Sequence, residues 1–189
     1  MPTLTKPQTA PRLVTWDDFL KLDDDDRREL LDGRLVEGEV PTLSHEQAVI
    51  ALGTLLTQWA WERGGGRTLA SGYKVRVDEH RGVMPDVQYF RPGNFPGVED
   101  EQGLAHGRPD LAVEVISPGS RRYDSVRKRA DYAAIGVPEY WLIDPERRTL
   151  IRFVLRGGEY AEAETPSGDQ VFRPDGFEGL EIPLGRLWI

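Results

Sequence analysis

The apolar positions of this chain follow two periods, and their alternation sets the expected element order. From Leu43 onward, Ala48, Leu52, Leu55, Leu56 and Trp59 recur at spacings of three and four, which predicts a helix with one buried stripe. Ser44 with Gln47 three residues on has the form of a capping box, and Gly64 to Gly66 provide the stop. The next stretches, RTLASGYKVRVDE and GVMPDVQYF, alternate with period two or run apolar, as strands do. A Pro/Gly/acid loop follows, then the apolar run Leu111–Ile116, then a turn at SPGS. A second helix is expected from about Arg121 to Ile135, closed by Gly136 and blocked by Pro138. PEYWLID and TLIRFVL read as strands; GEYAEAE, QVFRPDGFEGLEIPL and LWI read as shorter ones. Near the N-terminus, Trp16–Val40 reads as two short helical segments, stopped at Gly33, and then a strand or hairpin arm. The order helix, strands, helix, strands gives an α/β fold with a mixed sheet flanked by helices. Residues 1–14 read as a Pro/Thr-rich arm and 15–189 as a single domain.

Composition narrows the function classes. The 189 residues are 39% hydrophobic and 30% charged, enough for a core. The absence of cysteine excludes disulfides and thiolate metal sites, and fits a cytoplasmic protein. No apolar run reaches the ~20 residues a membrane helix needs, so no membrane partner is expected. The net charge of −8 argues against a passive nucleic-acid coat. It leaves room for an enzyme that meets phosphate through a bound cation and a local basic patch.

The candidate chemistry begins at Glu114. Side chains alternate along a strand, so Leu111, Val113 and Val115 share one face of LAVEVI and Ala112, Glu114 and Ile116 the other. A carboxylate in such a strand is costly unless it is paired or bound to a cation. Two Pro-Asp pairs precede Glu114, Pro85-Asp86 and Pro109-Asp110. Asp110 is four residues from Glu114 on the same strand, about 13 Å away at Cα, too far to share one ion readily. Asp86 lies on a different strand; were the two strands neighbours, a spacing of ~4.8 Å would let both carboxylates meet one metal. Lys128 is the third candidate. The chain has 20 arginines and four lysines, and after Lys74 the only lysine is Lys128. A lysine is a compact charge whose pKa shifts on burial, which suits a group that orients or deprotonates water.

The stretches ELLDGRLVEGEV, SHEQAVIALGTLL, MPDVQYF, RPDLAVEVISPGS, YDSVRKRADYAAIGVPEYWLIDP and GGEY resemble the Uma2 family, a restriction-endonuclease-like group within the PD-(D/E)XK nucleases. They span roughly Asp17 to Tyr160. The resemblance implies a restriction-endonuclease-like core with extra C-terminal strands. It also implies hydrolysis of phosphodiester bonds, with DNA as the nucleic-acid partner, Mg2+ or Mn2+ as cofactor, and a homodimer. Asp86 and Glu114 would carry over as the metal-binding acids. The superfamily lysine normally stands two residues after the second acid, where this chain has Ile116. Lys128, the matching position in the Uma2-like run, would then act from the following helix.

Other residues are weighed against plainer roles. His45, on the inward stripe of its helix, could touch substrate or water, or be structural. Glu37 and Glu46 could add an acid near the metal. HEQAV lacks the second histidine of a zinc protease motif. Arg121, Arg122, Arg127 and Arg129 form a basic helix suited to phosphate contacts, or to pairing with Asp124 and Asp131. Asp23–Asp26 reads as a solvated acidic helix start, and Tyr132, Tyr140 and Trp141 as core. Two rivals to the nuclease remain: a binding protein that keeps the fold without catalysis, and a hydrolase of small phosphoesters.

Overall fold

Strands dominate the chain, and the fully apolar ones lie at the centre. The computed structural model describes residues 12–23, 26–38, 40–63, 65–70, 73–95, 107–117 and 124–188. A six-stranded sheet runs in the order β10-β9-β8-β7-β6-β3. Its members are β3 (Arg67–Ala70), β6 (Val87–Phe90), β7 (Leu111–Val115), β8 (Glu139–Asp144), β9 (Thr149–Arg156) and β10 (Glu159–Glu164). β7 and β8 are parallel and the other pairs antiparallel. Every residue of β6, β7 and β8 is buried, as expected for strands covered on both faces. Parallel neighbours need a crossover. Here its described part is a π-helical turn, Asp124–Lys128, running into α3 (Arg129–Ala134).

The two faces of the sheet differ. Leu111, Val113 and Val115 pack with Ala48, Leu52 and Leu56 of α2 (Leu43–Glu62) and with the C-terminal aromatics. Ala112 and Ile116 pack instead with Tyr132 of α3 and with Tyr140 and Phe153. The strand pattern therefore puts Glu114 on the α3 side. Thr42 caps α2, its hydroxyl accepting from His45 N at 3.2 Å, so the helix starts earlier than a Ser44 cap would have it. Gln47 is free of capping duty and reaches Arg186 O at 3.5 Å.

A four-stranded antiparallel sheet, β2-β1-β5-β4, lies apart in pairing from the first. It holds β1 (Glu29–Leu31), β2 (Arg34–Val36), β4 (Val75–Asp78) and β5 (Arg81–Val83). The segment expected to be a second helix is thus a hairpin. Asp32 and Gly33 sit at φ 50 and 73, the pair of positive values that a two-residue Asp-Gly hairpin turn requires. That turn also displaces the acidic helix start expected at Asp23–Asp26: the described residues there are not helical, and Asp26 accepts from Arg28 instead. α1 (Trp16–Leu20) is the helix that does form, closed by a Thr15/Asp18 capping box. Just before it, Val14 N donates to Gly33 O at 2.9 Å, so the end of the N-terminal arm lies on the hairpin; residues 1–11 fall outside the described residues. At the C-terminus β11 (Val171–Phe172) pairs β12 (Ile182–Pro183), while the segment expected as a last strand, LWI, follows a 3-10 turn at Leu184–Arg186 and is not a strand in its described residues Leu187 and Trp188. Its side chains still serve the core, with Leu187 fully buried and Trp188 Nε1 donating to Gly168 O.

Candidate functional site

Register brings the two acids to one place. β6 pairs β7 with Val87 opposite Val113 and Gln88 opposite Ala112; one further step sets Asp86 across from Glu114. Pro85 has no amide hydrogen and cannot extend the ladder. The Asp86 side chain does so in its place, Oδ2 accepting from Val115 N at 2.7 Å. The same oxygen lies 3.2 Å from His45 Nε2, at the first turn of α2. His45 is buried, which lowers its tendency to protonate, but the hydrogen bond and charge of Asp86 and the charge of Glu46 outweigh this and raise its pKa above 6.5. Its Nδ1 is 3.5 Å from Glu46 Oε1 and makes no hydrogen bond.

Glu114 is 2% exposed and is held from α3 and the turn before it. Lys128 Nζ donates to Oε2 at 2.9 Å and Tyr132 OH to Oε1 at 2.6 Å. Lys128 and Tyr132 are four residues apart, so they stand on one side of the helical segment and meet the same carboxylate. Burial, reinforced by the Glu114 charge, pushes the Tyr132 hydroxyl well above its usual range, so it stays a donor. Lys128 Nζ also lies 3.0 Å from Glu29 Oε1, on β1. Ile116, where a strand-borne lysine would stand, is buried among apolar side chains.

The model of Uma2, described as "Putative restriction endonuclease", matches residues 16–185. The chain belongs to the Uma2 family. A crystal structure from Anabaena variabilis ATCC 29413, described as a "putative nuclease belonging to DUF820", superposes with a TM-score of 0.74 at 20% identity. The match covers 92% of this chain and 97% of that one, and shows a common restriction-endonuclease-like fold. No curated protein matches the chain significantly.

Within this Uma2 domain, Asp86 pairs with His45 and Glu114 with Lys128, and the β6–β7 register sets Asp86 opposite Glu114. Asp110 is bound elsewhere: its oxygens accept from Arg91 N at 2.7 Å and Asn94 Nδ2 at 2.9 Å, holding the loop after β6. Glu37 is exposed beyond β2, and Glu46 is exposed and reaches only His45. Arg127 pairs with Asp32 of the hairpin turn, its charge also acts on the helical acid Asp131, and Arg129 lies 5.1 Å over the Phe153 ring. Asp131 pairs with Arg81 at 2.7 Å. Arg121 and Arg122 lie outside the described residues.

Two members of the site escaped the sequence reading. Tyr132 reads as core and is core, but its hydroxyl also donates to Glu114. Glu29 was hidden by the helical reading of its segment. The signal that could have found it is LLDGRLV, two apolar runs around Asp-Gly, which makes Glu29 the first residue of a hairpin strand.

The donor chemistry fits a hard divalent cation. All the acidic donors are oxygens, which suit Mg2+ or Mn2+. Among the described residues no three acidic or histidine side chains converge closely enough to cage an ion. That also agrees with Mg2+, which takes one or two carboxylates and completes its shell with water and phosphate. The Asp86 side chain is 21% exposed and open to such an ion.

Proposed function

We propose that this protein is a metal-dependent nuclease that hydrolyses phosphodiester bonds in DNA. The observation that carries the reading is the Lys128 ammonium, 2.9 Å from the buried Glu114 carboxylate, beside an Asp86 that register sets opposite. A lysine lost from the strand position of Ile116 is thereby restored from the crossover helix.

Asp86 and Glu114 would hold the cation, with the Val115 carbonyl as a further oxygen. When bound, it supplies a water of lowered pKa and neutralises phosphate charge. The chain's own groups do the rest. The sheet amide of Val115 and the His45 ring fix Asp86. The Tyr132 hydroxyl fixes Glu114. The Lys128 ammonium orients the attacking water and offers protons to the charge that develops on phosphate oxygens. Arg127 and Arg129, with Arg121 and Arg122, are the candidates for flanking phosphates. The same reading expects a cytoplasmic homodimer, since two active sites suit the two strands of a duplex; sedimentation velocity tests the dimer.

The test is cleavage of plasmid and oligonucleotide DNA with Mg2+ or Mn2+ by wild type, Glu114→Gln and Lys128→Ala. Metal-dependent cutting by wild type, lost in both variants, supports the reading. Equal residual cutting by all three would be contamination and would overturn it. A second reading, a binding protein without catalysis, is favoured by the apolar setting of Ile116 and the net charge of −8. Calorimetric titration with Mg2+ that shows no binding at Asp86 and Glu114 would select it. Activity on a small phosphodiester but not on DNA would instead select a small-phosphoester hydrolase.

A further inference from the structure

A lysine on a helical turn reaches its target through a flexible four-carbon stem, and holding it there costs rotamer freedom. Glu114 alone is one anchor. The second is Glu29. Its Oε1 lies 3.0 Å from Lys128 Nζ and accepts from Met84 N at 3.0 Å. Met84 leads through Pro85 directly to Asp86. One carboxylate oxygen therefore touches the lysine and the segment that carries the opposing acid. Glu29 is buried, at 9% exposed, where a carboxylate is costly and an apolar residue would serve folding as well. Two further ion pairs tie the same small sheet to the same helix: Asp32 with Arg127, and Arg81 with Asp131. The small sheet that carries Glu29 is thus fastened to the Lys128 segment on both sides of the lysine, from the β1–β2 turn at Arg127 and from β5 at Asp131.

We propose that Glu29 is the positioning residue for Lys128, holding the ammonium against Glu114 and setting the Met84–Asp86 segment with the same oxygen. It acts through the lysine. The consequence for cleavage rests on the nuclease reading above, but the geometry is testable without any activity.

The chain has four lysines, so full-length protein labelled with 15N-lysine gives at most four ammonium signals, and Lys128→Arg identifies one of them. In wild type the Lys128 ammonium is expected to stay visible at neutral pH while that of exposed Lys21 is lost to exchange with water. Glu29→Gln keeps the shape and the Met84 contact but removes the charge, and the Lys128 signal is expected to broaden as Lys21 does. Should Glu29→Gln fail to fold, Glu29→Asp withdraws the carboxylate and is expected to weaken the same signal. A wild-type Lys128 signal that exchanges as fast as Lys21, or one untouched by either substitution, overturns the proposal. If the protein cuts DNA, Glu29→Gln is expected to lower kcat by about 10-fold or more with KM within about twofold, since misplacement by an ångström costs up to ~100-fold. An unchanged kcat overturns the catalytic half. If no cutting is found with any substrate, the nuclease reading fails and the ammonium signals still decide the positioning.

Discussion

Two buried clusters of charge sit on neighbouring strands of the six-stranded sheet, and they use different cations. On β8, Glu139 takes both arms of Arg152, Nη2 to Oε1 at 2.7 Å and Nε to Oε2 at 2.9 Å, with Trp141 Nε1 adding a third bond at 3.2 Å. Arg152 also donates from Nη1 to Glu164 and from Nη2 to Asp175 O. On β7, Glu114 accepts from an ammonium at Oε2 and from a phenol at Oε1. The guanidinium is a rigid fork with fixed partners, whereas an ammonium can turn its three protons to new ones. The first cluster locks the sheet to its C-terminal segment. The second keeps a movable cation at the end of a strand, beside an acid that is open to solvent.

That contrast can be broken most sharply at the arginine. Arg152→Leu strands Glu139 in the core and is expected to cost about 3–5 kcal/mol, read by urea denaturation, with cleavage per folded molecule retained. A loss below about 1 kcal/mol would mean the lock is not a lock. At the other cluster the effects trade places. Glu114→Gln, which leaves Lys128 its contact with Glu29, is expected to reduce cutting by about 10²–10³-fold in single-turnover assays, with little change in the urea midpoint. Large loss of stability with activity preserved would reverse the assignment of the two clusters.

Tyr132→Phe is expected to fall between them. It removes a hydrogen bond to a charged acceptor, worth about 1.5–3 kcal/mol, and thermal denaturation should show it along with a smaller loss of rate. The smallest effect concerns pH. His45 titrates above 6.5 in the fold, because Asp86 and Glu46 outweigh its burial. A raised pKa contributes stability that is full below 6.5 and is lost as pH rises through the folded value. Metal-free wild type should therefore exceed His45→Gln in stability by more at pH 6 than at pH 8, in paired denaturation curves. A difference that is the same at both pH values would mean that folding leaves the protonation of His45 unchanged.

Sequence disclosed the site unevenly, and the reason is the range of the contacts. Glu114 stood out because a lone acid in LAVEVI violates the local pattern, and Lys128 because arginine is the habitual cation here. Asp86 followed from strand spacing, and the observed register supplies the neighbour it needed. Glu29 had no such mark. Its meaning depends on a lysine 99 positions on (29 to 128), and on whether ELLDGRLV folds as helix or hairpin. Leu30 and Leu31 allow both, and the Asp-Gly turn decides. The cap of α2 went astray in the same way: Thr42 and Ser44 both offer a hydroxyl, and the chain's entry angle selects Thr42. The central strands were legible because they are long, apolar and bounded by turns.

The hydrogen bond from Val115 N to Asp86 gives that acid a double employment. Its side chain stands in for a missing rung between β6 and β7, so deleting it would fray the seam as well as remove an acid from the candidate site. Selection on architecture alone would preserve an aspartate here even in a descendant that had stopped cutting. Retention of Asp86 in kindred proteins is accordingly a poor witness to activity. The better witnesses are Glu29 and Lys128, whose burial as a charged couple is a burden that a silent scaffold gains by shedding for aliphatic side chains.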